Sequence, residues 1–178
     1  MRQKLKNLTQ AQTIALGFFI VILMGTLLLM LPISSKNGQS IGFIPALFTS
    51  ASASCVTGLV VVDTYTHWST FGQIVIITLI QIGGLGFITL GVLFSLLLNR
   101  NINLKQRTLI RESVNSIHIG GVVKLVKKII IGTFAIELIG AVIMSFFFIP
   151  ELGFTRGVYY SVFHSISAFC NAGFDLMG

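Results

Sequence analysis

Charge is what this sequence has least of. Of 178 residues only 10% are Asp, Glu, Lys or Arg, and only five of those are acidic. A soluble domain carries about a quarter charged residues. The polar side chain available here is too little to cover a water-facing globule, which argues against a soluble enzyme, a nucleic-acid module or a disordered chain. Cysteine is equally scarce: Cys55 and Cys170 are too few for a disulfide scaffold. His67, His118 and His164 are scattered without metal-ligand spacing. There is no G-x-S-x-G, no G-x-G-x-x-G and no P-loop, so neither catalysis nor nucleotide binding has local support, and no cofactor is expected. What is abundant is apolar: 54% of the residues are hydrophobic and the mean hydropathy is +0.92. The class is an integral membrane protein.

Three apolar stretches are long enough for the roughly 20 helical residues that cross a bilayer. They run from about Thr13 to Leu31, Thr70 to Leu98, and Ile129 to Ile149, the last carrying Glu137. The first is too long for the apolar core of a signal peptide, and no small-residue cleavage site follows before Pro32. Basic residues set the orientation. Arg2, Lys4 and Lys6 precede the first span; Arg100, Lys105, Arg107, Arg111, Lys124, Lys127 and Lys128 lie between the second and third. Only Lys36 and Arg156 remain for the other side. A bias of ten to two places the N-terminus and the 99–128 segment in the cytoplasm, with 32–69 and 150–178 outside.

Each outward segment holds an apolar stretch too short to span, about 42–54 and 157–169, followed by CVTGL at 55–59 or CNAGF at 170–174. A short apolar helix ending in irregular backbone reads as a re-entrant loop, which must be buried in protein or line a water-filled path. The alternative is an interfacial helix followed by an ordinary turn. The two segments match. Shifted by 115 residues, 13–59 aligns with 128–174 without a gap and with 13 identities among 47 pairs. The identities include Gly25 with Gly140, Ser50 with Ser165, Cys55 with Cys170 and Gly58 with Gly173. Apolar bias alone does not produce five glycine matches in register. The repeated unit is span, loop, span, giving expected domains of 1–98 and 129–178 joined by the basic loop 99–128. Both copies begin in the cytoplasm, which makes the repeat parallel, with its axis along the membrane normal. A pore lies naturally on that axis. The residues after each short helix, Val56-Thr57-Gly58 and Asn171-Ala172-Gly173, can turn backbone carbonyls toward it, and rings of carbonyls replace the hydration shell of a potassium ion. Gly58 and Gly173 supply the backbone freedom this needs.

FTSASASCVTGL at 48–59, FHSISAFCNAGF at 163–174 and QIGGLGF at 81–87 resemble the Trk/Ktr/HKT potassium transporters, in particular the membrane subunits of bacterial Ktr-type uptake systems. The resemblance covers essentially the whole chain. It implies a potassium-channel-like all-α fold with four span–loop–span units around one pore in the bacterial cell membrane. It implies one filter glycine per loop, here Gly58 and Gly173, with Val56, Thr57, Asn171 and Ala172 as carbonyl donors. It also implies a homodimeric membrane part and a cytosolic nucleotide-binding regulatory ring, for which Arg107, Arg111 and Lys124 are candidate contacts. Against that pattern, residues 1–178 hold two of four loops and three of eight spans. The chain is expected to be an N-terminal portion of the pore subunit, about one and a half repeats.

The expected function is potassium uptake without enzyme activity, whether or not sodium is coupled. The rivals are a non-transporting membrane scaffold and a channel for another small cation. Asp175, two residues past Gly173, is either a cation-attracting carboxylate or a plain loop residue. Asp63 is read as an exposed loop residue. Glu137, at mid-span, must face protein, pair or be protonated. Gly83, Gly84 and Gly86 are read as close-packing small residues, with a flexible point as the alternative. Cys55 and Cys170, on separate loops, are read as packing residues rather than a disulfide.

Overall fold

The computed structural model describes residues 10–86, 108, 110–111 and 122–178. Its elements are α1 (Gln10–Leu29), a 3-10 turn (Pro32–Ser34), α2 (Phe43–Cys55), α3 (Thr64–His67), α4 (Thr70–Leu85), α5 (Val122–Leu152) and α6 (Phe154–Phe169). The described residues form no strand; one isolated bridge joins Ser35 to Trp68. α1 and α5 are long and apolar enough to cross a membrane, whereas α2 and α4 are apolar but shorter.

Local chemistry sets the boundaries. Pro32 has no N–H to continue α1 and instead opens the 3-10 turn. α2 and α6 start from glycines at positive φ, Gly42 and Gly153, and Pro45 is tolerated because it lies in the first turn of α2. Asp63 is more than a loop residue: its Oδ1 accepts the Thr66 N–H at 2.6 Å and caps α3. That bond, together with the Thr66 side chain and nearby Lys36, holds the Asp63 carboxyl below its usual range. Ser69 caps α4 by accepting from the Gly72 N–H at 3.3 Å, and its hydroxyl donates to the Ile33 carbonyl at 2.6 Å.

The expected span from Thr70 to Leu98 does not continue as one helix. α4 ends at Leu85, and Gly86 takes φ +76°, which a residue with a Cβ disfavours. Residues 87–98 lie outside the described ones. So do Arg2, Lys4, Lys6, Arg100, Lys105, Arg107 and His118, on which much of the orientation reading rests.

α2 packs between α1 and α4; α5 packs along α6; and α4 also touches α6. Close approach is made by small residues. Ala46, Ser50, Ala53 and Ser54 of α2 are almost wholly buried, and Trp68, Ile76, Ile80 and Phe163 fill the space around them. Two glutamines on α4 tie the halves together. Gln73 Oε1 accepts from the Tyr159 hydroxyl of α6 at 3.0 Å, while its Nε2 donates to the Trp68 carbonyl at 3.0 Å. Gln81 Nε2 donates to Glu137 Oε1 of α5 at 2.9 Å.

Candidate functional site

The two segments singled out in the sequence end their helices in the same way. After α2, the Val56 N–H donates to the Ala53 carbonyl and the Thr57 N–H to the Ser52 carbonyl at 3.0 Å. After α6, the Asn171 N–H donates to the Ala168 carbonyl and the Ala172 N–H to the Ser167 carbonyl at 2.8 Å. These are the 5→2 and 6→1 bonds of a Schellman ending, which requires one left-handed residue. Val56 and Asn171 fill that place, each with φ 56°. Asn tolerates the region, but a β-branched Val there is an outlier. Its cost is about 1–2 kcal/mol. Gly58 and Gly173 follow at φ 75° and 71°.

The correspondence at 115 residues extends to the supports behind each loop. Ser50 Oγ donates to the Ile22 carbonyl of α1 at 2.8 Å, and Ser165 Oγ donates to the Glu137 carbonyl of α5 at 2.6 Å. A Cβ on Gly25 would strike Ser50 Oγ, and one on Gly140 would strike Ser165 Oγ. Ser52 and Ser167 pin the far sides: Ser52 Oγ bonds Thr57 Oγ1 at 2.9 Å, and Ser167 Oγ donates to the Phe174 carbonyl at 2.6 Å. All four serines were visible in the sequence as identities, but the partners of Ser50 and Ser165, 28 residues back in another helix, were not.

The loops also meet. A Cβ built on Gly58 would lie 3.0 Å from the Ala172 carbonyl oxygen and 3.5 Å from Gly173 Cα. Val56, Thr57 and Gly58 are thus brought beside Asn171, Ala172 and Gly173, with Ala172 fully buried. Gly83 and Gly84 pack as close-approach residues, though against the loops rather than another spanning helix. A Cβ on Gly83 would strike the Ser54 carbonyl, and one on Gly84 would strike Cys170 Sγ.

His164 has a structural place. Its Nδ1 bonds the Tyr160 carbonyl at 2.8 Å, and its Nε2 accepts the Leu176 N–H at 3.2 Å, anchoring the strand of chain after the second loop. Asp175 Oδ1 accepts the Met177 N–H at 2.9 Å, and Asp175 lines a cavity of about 320 Å³ with His164, Asn171 and Gly173. Cys55 and Cys170 are free thiols. Among the described residues no group of three His, Cys, Asp or Glu could hold a metal ion.

Residues 2–178 match the family described as TrkH, cation transport protein. The chain is 48% identical over 173 residues to the potassium/sodium uptake protein NtpJ of Enterococcus hirae, covering 97% of this chain and 38% of that protein. It is 52% identical over 168 residues to the Ktr system potassium uptake protein B of Bacillus subtilis, covering 94% and 37%. To the protein of the same name in Vibrio alginolyticus it is 42% identical over 167 residues, covering 94% and 36%. The chain thus spans well under half the length of these relatives. Two helices able to cross a bilayer, in a chain matched almost end to end by transport proteins, lead to one conclusion: this membrane protein belongs to the TrkH family of cation transport proteins.

Proposed function

We propose that the chain is an N-terminal portion of a potassium-uptake pore subunit, with 55–59 and 170–174 as two of its filter loops. In this reading α2 and α6 are re-entrant pore helices in a parallel repeat, and the backbone carbonyls of Val56, Thr57, Gly58, Asn171, Ala172 and Gly173 coordinate the ion. The observation that carries it is the pair of matching loop endings lying against one another, with Gly58 facing Ala172 and Gly173. Several features support it. The bonds that shape each loop use the N–H groups of Val56, Thr57, Asn171 and Ala172, so the carbonyls of these residues accept none of them. Each helix C-terminus also presents the negative end of its dipole there. The left-handed Val56 fits the pattern of strain concentrated at functional sites.

Two of the three relatives carry potassium alone in their names and one pairs it with sodium, so potassium is the ion assigned. The partners we assign are a second copy and a cytosolic nucleotide-binding ring, with Arg111 and Lys124 among the candidate contacts; Arg107 lies outside the described residues. The N-terminus and the 99–128 segment face the cytoplasm in this topology.

Thiol protection separates the pore from a membrane scaffold. Cys55 is exposed in this chain and adjoins Val56, while Cys170 adjoins Asn171. In the complete subunit in membranes, a water-soluble thiol reagent should modify Cys55 more slowly in potassium than in a large organic cation. Equal rates in both ions, at both cysteines, would favour the scaffold.

A further inference from the structure

Glu137 is an acid in a membrane-spanning helix, only 5% exposed. Its counterpart at the 115-residue offset is Ile22. Both positions do the same packing work, since each gives its backbone carbonyl to a serine hydroxyl of the neighbouring short helix. The first half does this with an apolar side chain. The carboxyl of the second half is therefore extra to the packing, and it has its own partner, Gln81 of α4, whose Nε2 donates to Glu137 Oε1 at 2.9 Å.

That bond leaves Gln81 Oε1 buried without a hydrogen-bond partner. An ionised carboxylate only accepts, so it cannot serve that oxygen. Turning the amide over would set oxygen against oxygen. A neutral carboxylic acid matches both atoms of the amide, because it accepts at its carbonyl and donates from its hydroxyl. The surroundings favour that form. α4 carries no titratable residue, and Cys170, just past α6, is a neutral thiol close enough to interact electrostatically with Glu137. On its own helix the nearest basic residue, Lys128, is nine positions away, or roughly 13.5 Å along the axis. A charge at this depth costs about 2.5–3.5 kcal/mol on insertion scales.

We propose that Glu137 is a buried proton-binding site, held as the neutral acid in a two-bond acid–amide clamp with Gln81 that ties α4 to α5 behind the second loop. The clamp does not depend on which ion the loops hold. α4 carries Gly83 and Gly84 against the two loops, and the Glu137 carbonyl receives Ser165 of α6, so the clamp links α4, α5 and α6, with Gly84 against Cys170. Losing the proton to solvent would keep the bond from Gln81 Nε2 but set a carboxylate oxygen against Gln81 Oε1, weakening the tie between α4 and α5.

Infrared spectroscopy of the full chain in lipid bilayers at neutral pH, with carbonyl-labelled glutamate, tests this without reference to transport. The parent should show the carbonyl stretch of a protonated acid. Glu137→Gln should insert normally and lose that band, and Glu151→Gln, at the exposed end of α5, should keep it. Gln81→Leu should move the band by removing the amide. No protonated-acid band in the parent, a band that survives Glu137→Gln, or a Glu137→Gln chain that no longer inserts would each overturn the clamp.

Discussion

Replacing Gly58 by Ser in the complete pore subunit is expected to weaken potassium affinity roughly 5–30-fold, the equivalent of about 1–2 kcal/mol of left-handed strain. Potassium preference over sodium should fall with it. Gly58 holds φ 75°, and its missing Cβ would lie 3.0 Å from the Ala172 carbonyl oxygen, so a side chain is disfavoured twice over. Rotating the Thr57–Gly58 peptide relieves the strain but, in the proposed filter, withdraws a carbonyl from the ion. Pushing on Ala172 instead displaces a donor of the opposite loop. Either relaxation lowers the number and field of carbonyls on which selectivity depends. Gly132→Ala is the matched control, because nothing lies within 4 Å of its Cβ position. Uptake of both ions against concentration, at equal expression, decides the matter. A Gly58→Ser protein with the parent's affinity and preference would make Gly58 an ordinary turn glycine.

Gly83→Ala should cut potassium uptake by about tenfold or more, for a different reason. A methyl there would strike the Ser54 carbonyl and come within 3.0 Å of Val56 Cγ2. The obstacle is backbone, which cannot swing aside as a side-chain end can, so α4 or the first loop must move. Overpacking of this kind costs typically 1–3 kcal/mol. The displaced residues are those that set the Schellman ending of α2. The protein should still insert, since α1 and α5 are untouched, and uptake should fall more than stability. Unchanged uptake in Gly83→Ala would break the link between α4 and the loop.

How far the sequence carries can be judged residue by residue. The 115-residue correspondence was legible because glycine and serine identities stand out against an apolar background. It marked Gly58 and Gly173, both at positive φ in the structure. It could not reveal that Val56 is left-handed, since β-branched residues give no signal for that conformation. The end of α4 at Gly86 was hidden because one glycine barely lowers the hydropathy of a long apolar run. Gly83 and Gly84 were read correctly as close-packing residues, whereas Gly86, read the same way, has nothing among the described residues within 4 Å of its Cβ position and ends the helix instead. The neighbours of Gly83 and Gly84, two loops separated by over a hundred residues, follow from tertiary arrangement and not from helical spacing. The same holds for Gln81 with Glu137 and Gln73 with Tyr159: contacts between segments far apart in the chain have no sequence period. The shift fails at the start of α6, which begins at Phe154 where the offset from α2 places residue 158, because Gly153 rather than Gly157 turns the chain into the helix.

The central claim is that the two loops hold potassium through their backbone. The most direct measurement is anomalous diffraction from crystals of the complete subunit in rubidium, a heavier stand-in for potassium. The account predicts a peak on the pore axis, ringed by carbonyl oxygens that include those of Val56, Thr57, Asn171 and Ala172, and its loss when a large organic cation replaces rubidium. A map with no peak beside these loops, or with its ions bound by side chains elsewhere, would contradict it.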